Sequence, residues 1–304
     1  MEENIRGCFY GAIVGDSLGT TYEFKKAKNI KLPQKLNIVG KGPFKVEKGQ
    51  VTDDSEMAIA LMRSIIKNKK YDKEDVAKAY IRWIKTDPAD SGITTRKALL
   101  NAKNFKDVVN NAKKYNTNSL SNGFIMKISP IAIYGINLTE KKLDKIIKDE
   151  VSITHSNEHV FLIAKVYVYT LIYIMKGGKD IENYALKIAK KNLELTSLII
   201  MSKTTPYYQH FNHGEIIDID GTYMGFVFVS LQLSFYELFN AKNYEMAMRD
   251  IISYGGDTDT NCAIAGAMLG AYYGYNNIPK RWIKSVLEAK YDRPKEFKFD
   301  KNLI

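Results

Sequence analysis

The chain has 304 residues, a formal net charge of +11 and a pI near 9.2. With 45% hydrophobic and 12% aromatic residues it can bury a substantial core, which excludes a disordered tail, a collagen-like fibre and a mini-protein. The first six residues lack a basic stretch feeding an apolar run, and the most apolar segment, Phe161 to Met175, is short and contains Lys165, so neither a signal peptide nor a membrane span is expected.

The first predicted element carries Gly7, Gly11, Gly15 and Gly19 at every fourth position, and the same spacing returns late in the chain at Gly266, Gly270 and Gly274. A glycine inside a helix costs roughly 1 kcal/mol relative to alanine, and a stripe of them is compensated when another backbone approaches closely. The two segments are therefore predicted to be tightly packed central helices. Arg6, Asp16 and the absence of a long apolar span favour a soluble core over membrane dimerisation. Next comes an amphipathic run over Thr52 to Asn68, where Ala58, Leu61, Met62 and Ile65 fall at i, i+3, i+4 and i+7. Helical periodicity continues at Lys73 to Lys85, Glu158 to Met175, Glu182 to Met201, Thr222 to Phe239 and Trp282 to Ala289, with a small-residue helix over Cys262 to Gly274. Strand-like alternation is scarce. The fold class is all-α, and with no Gly/Ser-rich linker and no recurrent period, residues 1–304 are expected to form one compact multi-helix domain.

The lysines fall in short groups such as Lys25-Lys26, Lys69-Lys70, Lys113-Lys114 and Lys190-Lys191, without an arginine-rich run. They read as solvated helix faces with no specific nucleic-acid site, in a field that favours an anionic small molecule. Two cysteines, Cys8 and Cys262, argue against a disulfide framework; each is expected to be a buried thiol in a reducing, cytoplasmic compartment.

Two acidic constellations carry chemical information. Thr52-Asp53-Asp54 stands directly before an amphipathic helix, where caps and first-turn carboxylates are ordinary structural features. Gly255-Gly256-Asp257-Thr258-Asp259-Thr260-Asn261 precedes the small-residue helix, and its spacing is wrong for an EF-hand, with Cys262 and Met268 at loop positions six and twelve. Were the clusters to converge, carboxylate pairs at about 4 Å would repel by about 4 kcal/mol at an effective dielectric of 20. A cation would relieve that, and an all-oxygen ligand set suits Mg²⁺ or Mn²⁺ rather than zinc. Spacing alone leaves convergence open.

His155-Ser156-Asn157-Glu158-His159 matches the H-x-x-E-H pattern of inverted zinc proteases, although no further ligand is identifiable. His210 and His213, in an aromatic loop with Tyr207, Tyr208 and Phe211, receive no role. Neither cysteine has a nearby histidine in sequence, and the chain has no dinucleotide fingerprint or P-loop.

The ordered set Gly11 to Gly19 with Tyr22-Glu23-Phe24, then Thr52-Asp53-Asp54, Ser121-Asn122-Gly123, Thr154-His155 and Gly256-Asp257-Thr258-Asp259-Thr260 resembles the ADP-ribosylglycohydrolase family, including its dinitrogenase reductase-activating members. The resemblance implies a compact all-helical protein with a central cleft and two Mg²⁺ or Mn²⁺ ions. It assigns Thr52, Asp53, Asp54, Asp257, Asp259 and Thr260 as metal ligands, with Glu23 and Asp54 as candidates for moving protons. Ser121, Asn122, Gly123 and His155 would contact the ADP-ribosyl group, with Asp90 near the departing group. Where the family usually has small residues and an arginine, this chain has Phe124-Ile125-Met126-Lys127, and a lysine keeps the charge but loses the bidentate fork. The implied reaction is hydrolysis at the anomeric carbon of an ADP-ribosylated protein or related conjugate, with ADP-ribosyl-arginine slightly favoured. The alternatives are a non-catalytic ADP-ribose-binding module and, from the separate histidine pattern, a zinc protease using His155, Glu158 and His159.

Overall fold

The computed structural model describes residues 1–210 and 213–304. Fourteen α-helices occur among them: α1 (Glu2–Gly19), α2 (Asp53–Asn68), α3 (Lys73–Ile84), α4 (Ile93–Leu99), α5 (Phe105–Tyr115), α6 (Ser129–Gly135), α7 (Glu140–Val151), α8 (Val160–Met175), α9 (Ile181–Ala189), α10 (Leu193–Met201), α11 (Val227–Asn240), α12 (Tyr244–Ser253), α13 (Thr258–Tyr273) and α14 (Lys280–Leu287). The only extended pairing among the described residues is a few isolated bridges. None of the helices is long and apolar enough to cross a membrane.

The glycine stripes do what their spacing predicts. Helices α1 and α13 run antiparallel with backbones in contact: a Cβ added to Gly7, Gly11, Gly15 or Gly19 would overlap the carbonyl oxygen of Gly270, Gly266, Cys262 or Thr258 respectively. Hydroxyls from neighbouring helices finish the seam, with Tyr244 donating to the Gly11 carbonyl at 2.7 Å and Tyr167 to the Ile264 carbonyl at 2.8 Å. One apolar core, including Met57, Tyr80, Ile131, Val166 and Val229, joins α2, α3, α6, α8 and α11 to this pair. A second, around Phe9, Tyr10, Ile251 and Trp282, joins α12 and α14. Cys8 and Cys262 are buried free thiols in these cores, and burial pushes Cys8 up to about 12.

Three helix boundaries depart from periodicity. The expected helix over 182–201 is two helices, because Asn192 caps α10 by accepting from the Leu195 amide at 2.9 Å; apolar residues repeat on both sides of the break and mask it. The expected helix from Thr222 begins only at Val227. Its first residues instead pair with another loop, the Asn122 amide donating to the Gly225 carbonyl and the Val227 amide to the Leu120 carbonyl, both at 2.9 Å. Helix α13 starts at Thr258 rather than Cys262, which puts Asp259 and Thr260 in its first turn.

Two stability measurements check this packing. Gly11→Ala should destabilise the protein by about 1–3 kcal/mol in urea unfolding despite alanine's better helix propensity, because the added methyl meets backbone. Gly92→Ala, where an added Cβ meets nothing within 4 Å, should stay within about 0.5 kcal/mol. The second concerns Glu237 on α11, a buried carboxyl with one oxygen unpartnered. Burial, reinforced by the charge of Asp250, pushes it from 4.5 up to about 8. The fold favours the protonated acid, so its contribution is complete below pH 4.5 and is lost as pH rises through 8. Glu237→Gln should therefore gain thermal stability relative to wild type as pH is raised; parallel profiles of Tm against pH would contradict the assignment.

Candidate active site

The C-terminus of α1 and the N-terminus of α13 end side by side, where the Thr258 hydroxyl donates to the Gly19 carbonyl at 2.8 Å. A single 3-10 turn, Thr20–Tyr22, then delivers Glu23 over the start of α13. Its Oε2 accepts from the Asp259 amide at 3.1 Å and the Thr258 hydroxyl at 3.2 Å. The following segment is stitched to the double-glycine turn: the Phe24 amide donates to the Gly256 carbonyl at 2.8 Å and the Gly256 amide to the Lys25 carbonyl at 2.9 Å. Gly255 and Gly256 both have left-handed φ, 72° and 77°, and added Cβ atoms would overlap the carbonyls of Lys25 and Ile219, so this turn requires glycine twice.

The other acidic motif is held by Asp16, one α-helical turn before the end of α1. Its carboxylate accepts from the Thr52 amide and the Ser55 amide at 3.1 Å and from the Thr52 hydroxyl at 2.9 Å, fixing the start of α2. Asp54 Oδ2 then accepts from the hydroxyls of both Thr52 and Thr260, each at 3.3 Å, so one oxygen joins motifs 206 residues apart. Glu23, Asp257 and Asp259 each present a carboxylate oxygen within 4.8 Å of the others. Asp53 receives the Gly92 amide at 3.3 Å, and Asp257 receives the Asn122 side-chain amide at 2.8 Å.

Six carboxylates thus lie close together, the buried Asp16, Glu23, Asp53, Asp54 and Asp259 with Asp257 at the cavity wall, and none of them has a lysine or arginine ion-pair partner among the described residues. Burial raises all six, Asp16 to about 6. After burial, the charge of Asp257 raises Glu23, that of Asp90 raises Asp53, that of Asp53 raises Asp54, and that of Glu23 raises Asp259. Asp257 is restrained by the hydrogen bond from Asn122. Asp54 Oδ1 and Asp259 Oδ2 are buried with no hydrogen-bond partner. Orphaned carboxylate oxygens beside threonine hydroxyls are a donor set suited to a hard divalent cation.

The acidic cluster opens into a cavity of about 600 Å³, within the range of small-molecule sites. Of the predicted residues, Glu23, Asp53, Asp90, Ser121, Asn122, Gly123, Asp257 and Thr260 line it. Thr52, Asp54 and Asp259 stand in the buried layer behind. His155 does not line it: the ring is buried, Nε2 pairs with the Ser121 hydroxyl at 3.0 Å, Nδ1 pairs with the Thr154 hydroxyl at 2.9 Å, and Phe124 packs edge-on at 4.9 Å between centroids. Burial and then the Lys127 charge lower it to about 3, so the imidazole is neutral and holds the Ser121 loop from below.

Lys127 is also absent from the cavity wall. Its side chain is 0% exposed, pairs with Glu150 at 2.8 Å and sits over the Tyr80 ring at 5.1 Å. Glu150 also accepts from the hydroxyls of Tyr71 at 3.0 Å and Tyr80 at 2.8 Å. The departure from the family pattern at Lys127 thus falls in the core, while Glu150 and His155, at and just beyond the end of α7, grip both ends of the Ser121–Lys127 loop.

The zinc-protease pattern does not assemble. His155 is buried against Ser121, whereas Glu158 and His159 are on the surface, with side-chain exposures of 90% and 50%. The neighbouring rings of His210 and His213 lie outside the cavity lining, and Phe211 lies outside the described residues. The sequence reading missed one wall of the cavity, Thr222 to Phe226, by assigning it to α11, and missed Ile93, Thr94 and Thr95 at the start of α4. The available signal was Gly225 in Tyr223-Met224-Gly225-Phe226, a helix-weakening residue in an aromatic run.

Comparison with known proteins agrees with this geometry. The family profile described as ADP-ribosylglycohydrolase matches residues 1–298. A protein of Acanthamoeba polyphaga mimivirus named as an ADP-ribosyl glycohydrolase is 36% identical over 307 residues, covering 95% of this chain and 92% of its own. The ADP-ribosyl-[dinitrogen reductase] glycohydrolase of Rhodospirillum rubrum is 26% identical, covering 96% and 93%. A solved structure described as an ADP-ribosylglycohydrolase-related protein complex superposes with a TM-score of 0.75 at 22% identity, covering 94% of this chain and 92% of that one, and shares the fold. Motifs, helical architecture and whole-chain similarity together place this chain in the ADP-ribosylglycohydrolase family.

Proposed function

We propose that residues 1–304 act as one domain that hydrolyses the bond between the anomeric carbon of ADP-ribose and an acceptor side chain on a protein, with two Mg²⁺ or Mn²⁺ ions as cofactors. The observation that carries this reading is the meeting of Asp54 and Thr260 at 3.3 Å, directly behind a cavity walled by Glu23, Asp53, Asp257 and the Ser121–Gly123 loop. Thr52, Asp53, Asp54, Asp257, Asp259 and Thr260 would hold the ions. Bound there, divalent cations supply Lewis-acid orientation of ribose hydroxyls and water.

This chain's own residues account for the remaining functions. The hydroxyl of Ser121, braced by His155, and the Asn122 side chain, braced by Asp257, give the ligand a polar floor without a fixed positive charge. Glu23 lines the cavity and Asp54 does not, so the proton role is assigned to Glu23. The Glu23 carboxyl gives its proton to the acceptor atom as the glycosidic bond breaks; water adds to the anomeric carbon and returns a proton to Glu23, releasing ADP-ribose and the free side chain. Asp90, lining the cavity without an ion-pair partner among the described residues, suits a cationic guanidinium as the departing group, which favours ADP-ribosyl-arginine. Two buried thiols fit a reducing, cytoplasmic setting.

Incubation with arginine-, serine- and poly-ADP-ribosylated substrates, with and without EDTA, tests the proposal. Release of ADP-ribose that EDTA abolishes is expected, with the arginine conjugate turned over fastest; tight ADP-ribose binding without any release would establish the non-catalytic alternative. Asp257→Ala should lower kcat by at least about 100-fold. Mg²⁺ should raise the Tm of the wild type by several degrees and that of Asp257→Ala by much less, because an ion held only by the folded state stabilises it. Wild-type rates and an unchanged Mg²⁺ shift in the variant would reject the metal assignment.

A further inference from the structure

The net charge is far more concentrated than the scattered lysine pairs suggest. Between Phe24 and Val51 the chain has eight lysines and one acid, Glu47, so 28 residues carry +7 of the total +11. The segment contains no α-helix, and all eight lysines are exposed. Only Lys26 has an ion-pair partner among the described residues, Asp220 at 3.8 Å.

The position of this loop is as informative as its charge. It leaves the site at Glu23 and returns to it at Thr52 and Asp53, so both ends are anchored at the acidic cluster. Residues 33–36 run along α12 and α14, their carbonyls accepting from Arg249, Arg281 and Trp282, and the following turn folds back to the site: the Thr21 hydroxyl donates to the Gly40 carbonyl at 3.0 Å, and Phe44 packs edge-on against Phe24, 5.7 Å between centroids. Phe24 lines the cavity and is 52% exposed, marking the mouth. Lys25 adjoins Phe24, and Lys41 and Lys45 flank the turn that carries Phe44. Lys25, Lys41 and Lys45 therefore stand at the Phe24–Phe44 edge of an opening whose inner wall carries Glu23, Asp53, Asp90 and Asp257.

We propose, on the basis of the hydrolase reading above, that the 24–51 loop is a docking collar for an acidic segment of the target protein, next to the modified side chain. Unpaired exposed charges project a field that steers and orients an oppositely charged partner. The residue types favour a protein over a nucleic acid. The loop has no arginine, and so lacks the planar fork that grips phosphate, and its two aromatic rings pack against each other rather than offering separate stacking faces. A continuous polyanion drawn past the rim would also meet the carboxylates of the inner wall, whereas a short acidic patch ends at the mouth.

The test replaces Lys25, Lys28, Lys41 and Lys45 together with glutamine and compares this variant with one in which Lys179, Lys187, Lys190 and Lys191 are replaced, removing equal charge elsewhere. Fluorescence anisotropy with unmodified acidic and neutral peptides reads the collar without turnover. The wild type and the control variant should bind the acidic peptide at least about 10-fold more tightly than the neutral one at low salt, with the preference shrinking as salt rises, and the rim variant should lose it. With ADP-ribosylated peptides, the rim variant should lose about 10-fold in kcat/KM on acidic flanks with kcat retained, and less than about 3-fold on a small ADP-ribosyl conjugate. Equal losses in both quadruple variants, no acidic preference in the wild type, or a short single-stranded oligonucleotide binding more tightly than the acidic peptide would each overturn the proposal. Failure of the wild type to hydrolyse the small conjugate would refute the hydrolase reading separately.

Discussion

The backbone contact between α1 and α13 is the constraint on which the site depends. Glycine at four successive turns of α1 lets the helices approach until side chains would collide with carbonyl oxygens, and the antiparallel arrangement brings the end of one helix to the beginning of the other. Glu23 follows α1 by one short turn, and Asp257, Asp259 and Thr260 open α13. A wider crossing would separate Glu23 from Asp257, Asp259 and Thr260, while Asp16, on the same α1, holds the start of α2. Close packing in the core is thereby converted directly into the placement of carboxylates.

That placement is electrostatically expensive. Buried carboxylates without cationic partners drive one another toward the neutral acid, and two of their oxygens have no hydrogen-bond donor at all. The surrounding structure holds the arrangement through neutral donors: threonine hydroxyls, backbone amides and the Asn122 side chain. The cations that are present are kept elsewhere. Lys127 is locked to Glu150 in the core, where its charge adds to burial in keeping His155 neutral beneath the Ser121 loop. In the 24–51 loop, exposed Lys25, Lys41 and Lys45 stand beside the Phe24–Phe44 contact at the edge of the mouth, outside the wall that carries the carboxylates.

The parts legible from sequence were those governed by local rules. The glycine period announced close-packed helices, amphipathic periodicity gave α2, α3 and α8 nearly to the residue, and the ordered acidic motifs pointed to the family. Local rules were weakest where a long-range partner replaced a local one. Residues 222–226 have a helix-compatible pattern, yet their backbone pairs with Leu120 and Asn122 and becomes a cavity wall. His155 was recognisable as part of the site, but its burial and its role beneath Ser121 depend on Phe124 and Lys127, which sequence spacing does not place around it.

The amino-acid sequence by itself determined an all-helical chain, the two helices whose backbones meet, and the residue types available for an oxygen-lined site, because each follows from periodicity or side-chain chemistry within a short window. Only the tertiary structure decided that Asp54 and Thr260 share a hydrogen bond across 206 residues, that Lys127 turns into the core, and that a lysine-rich loop returns to the cavity mouth. These depend on how helices distant in sequence cross and on which buried groups satisfy one another, and neither is encoded in the spacing of residues along the chain.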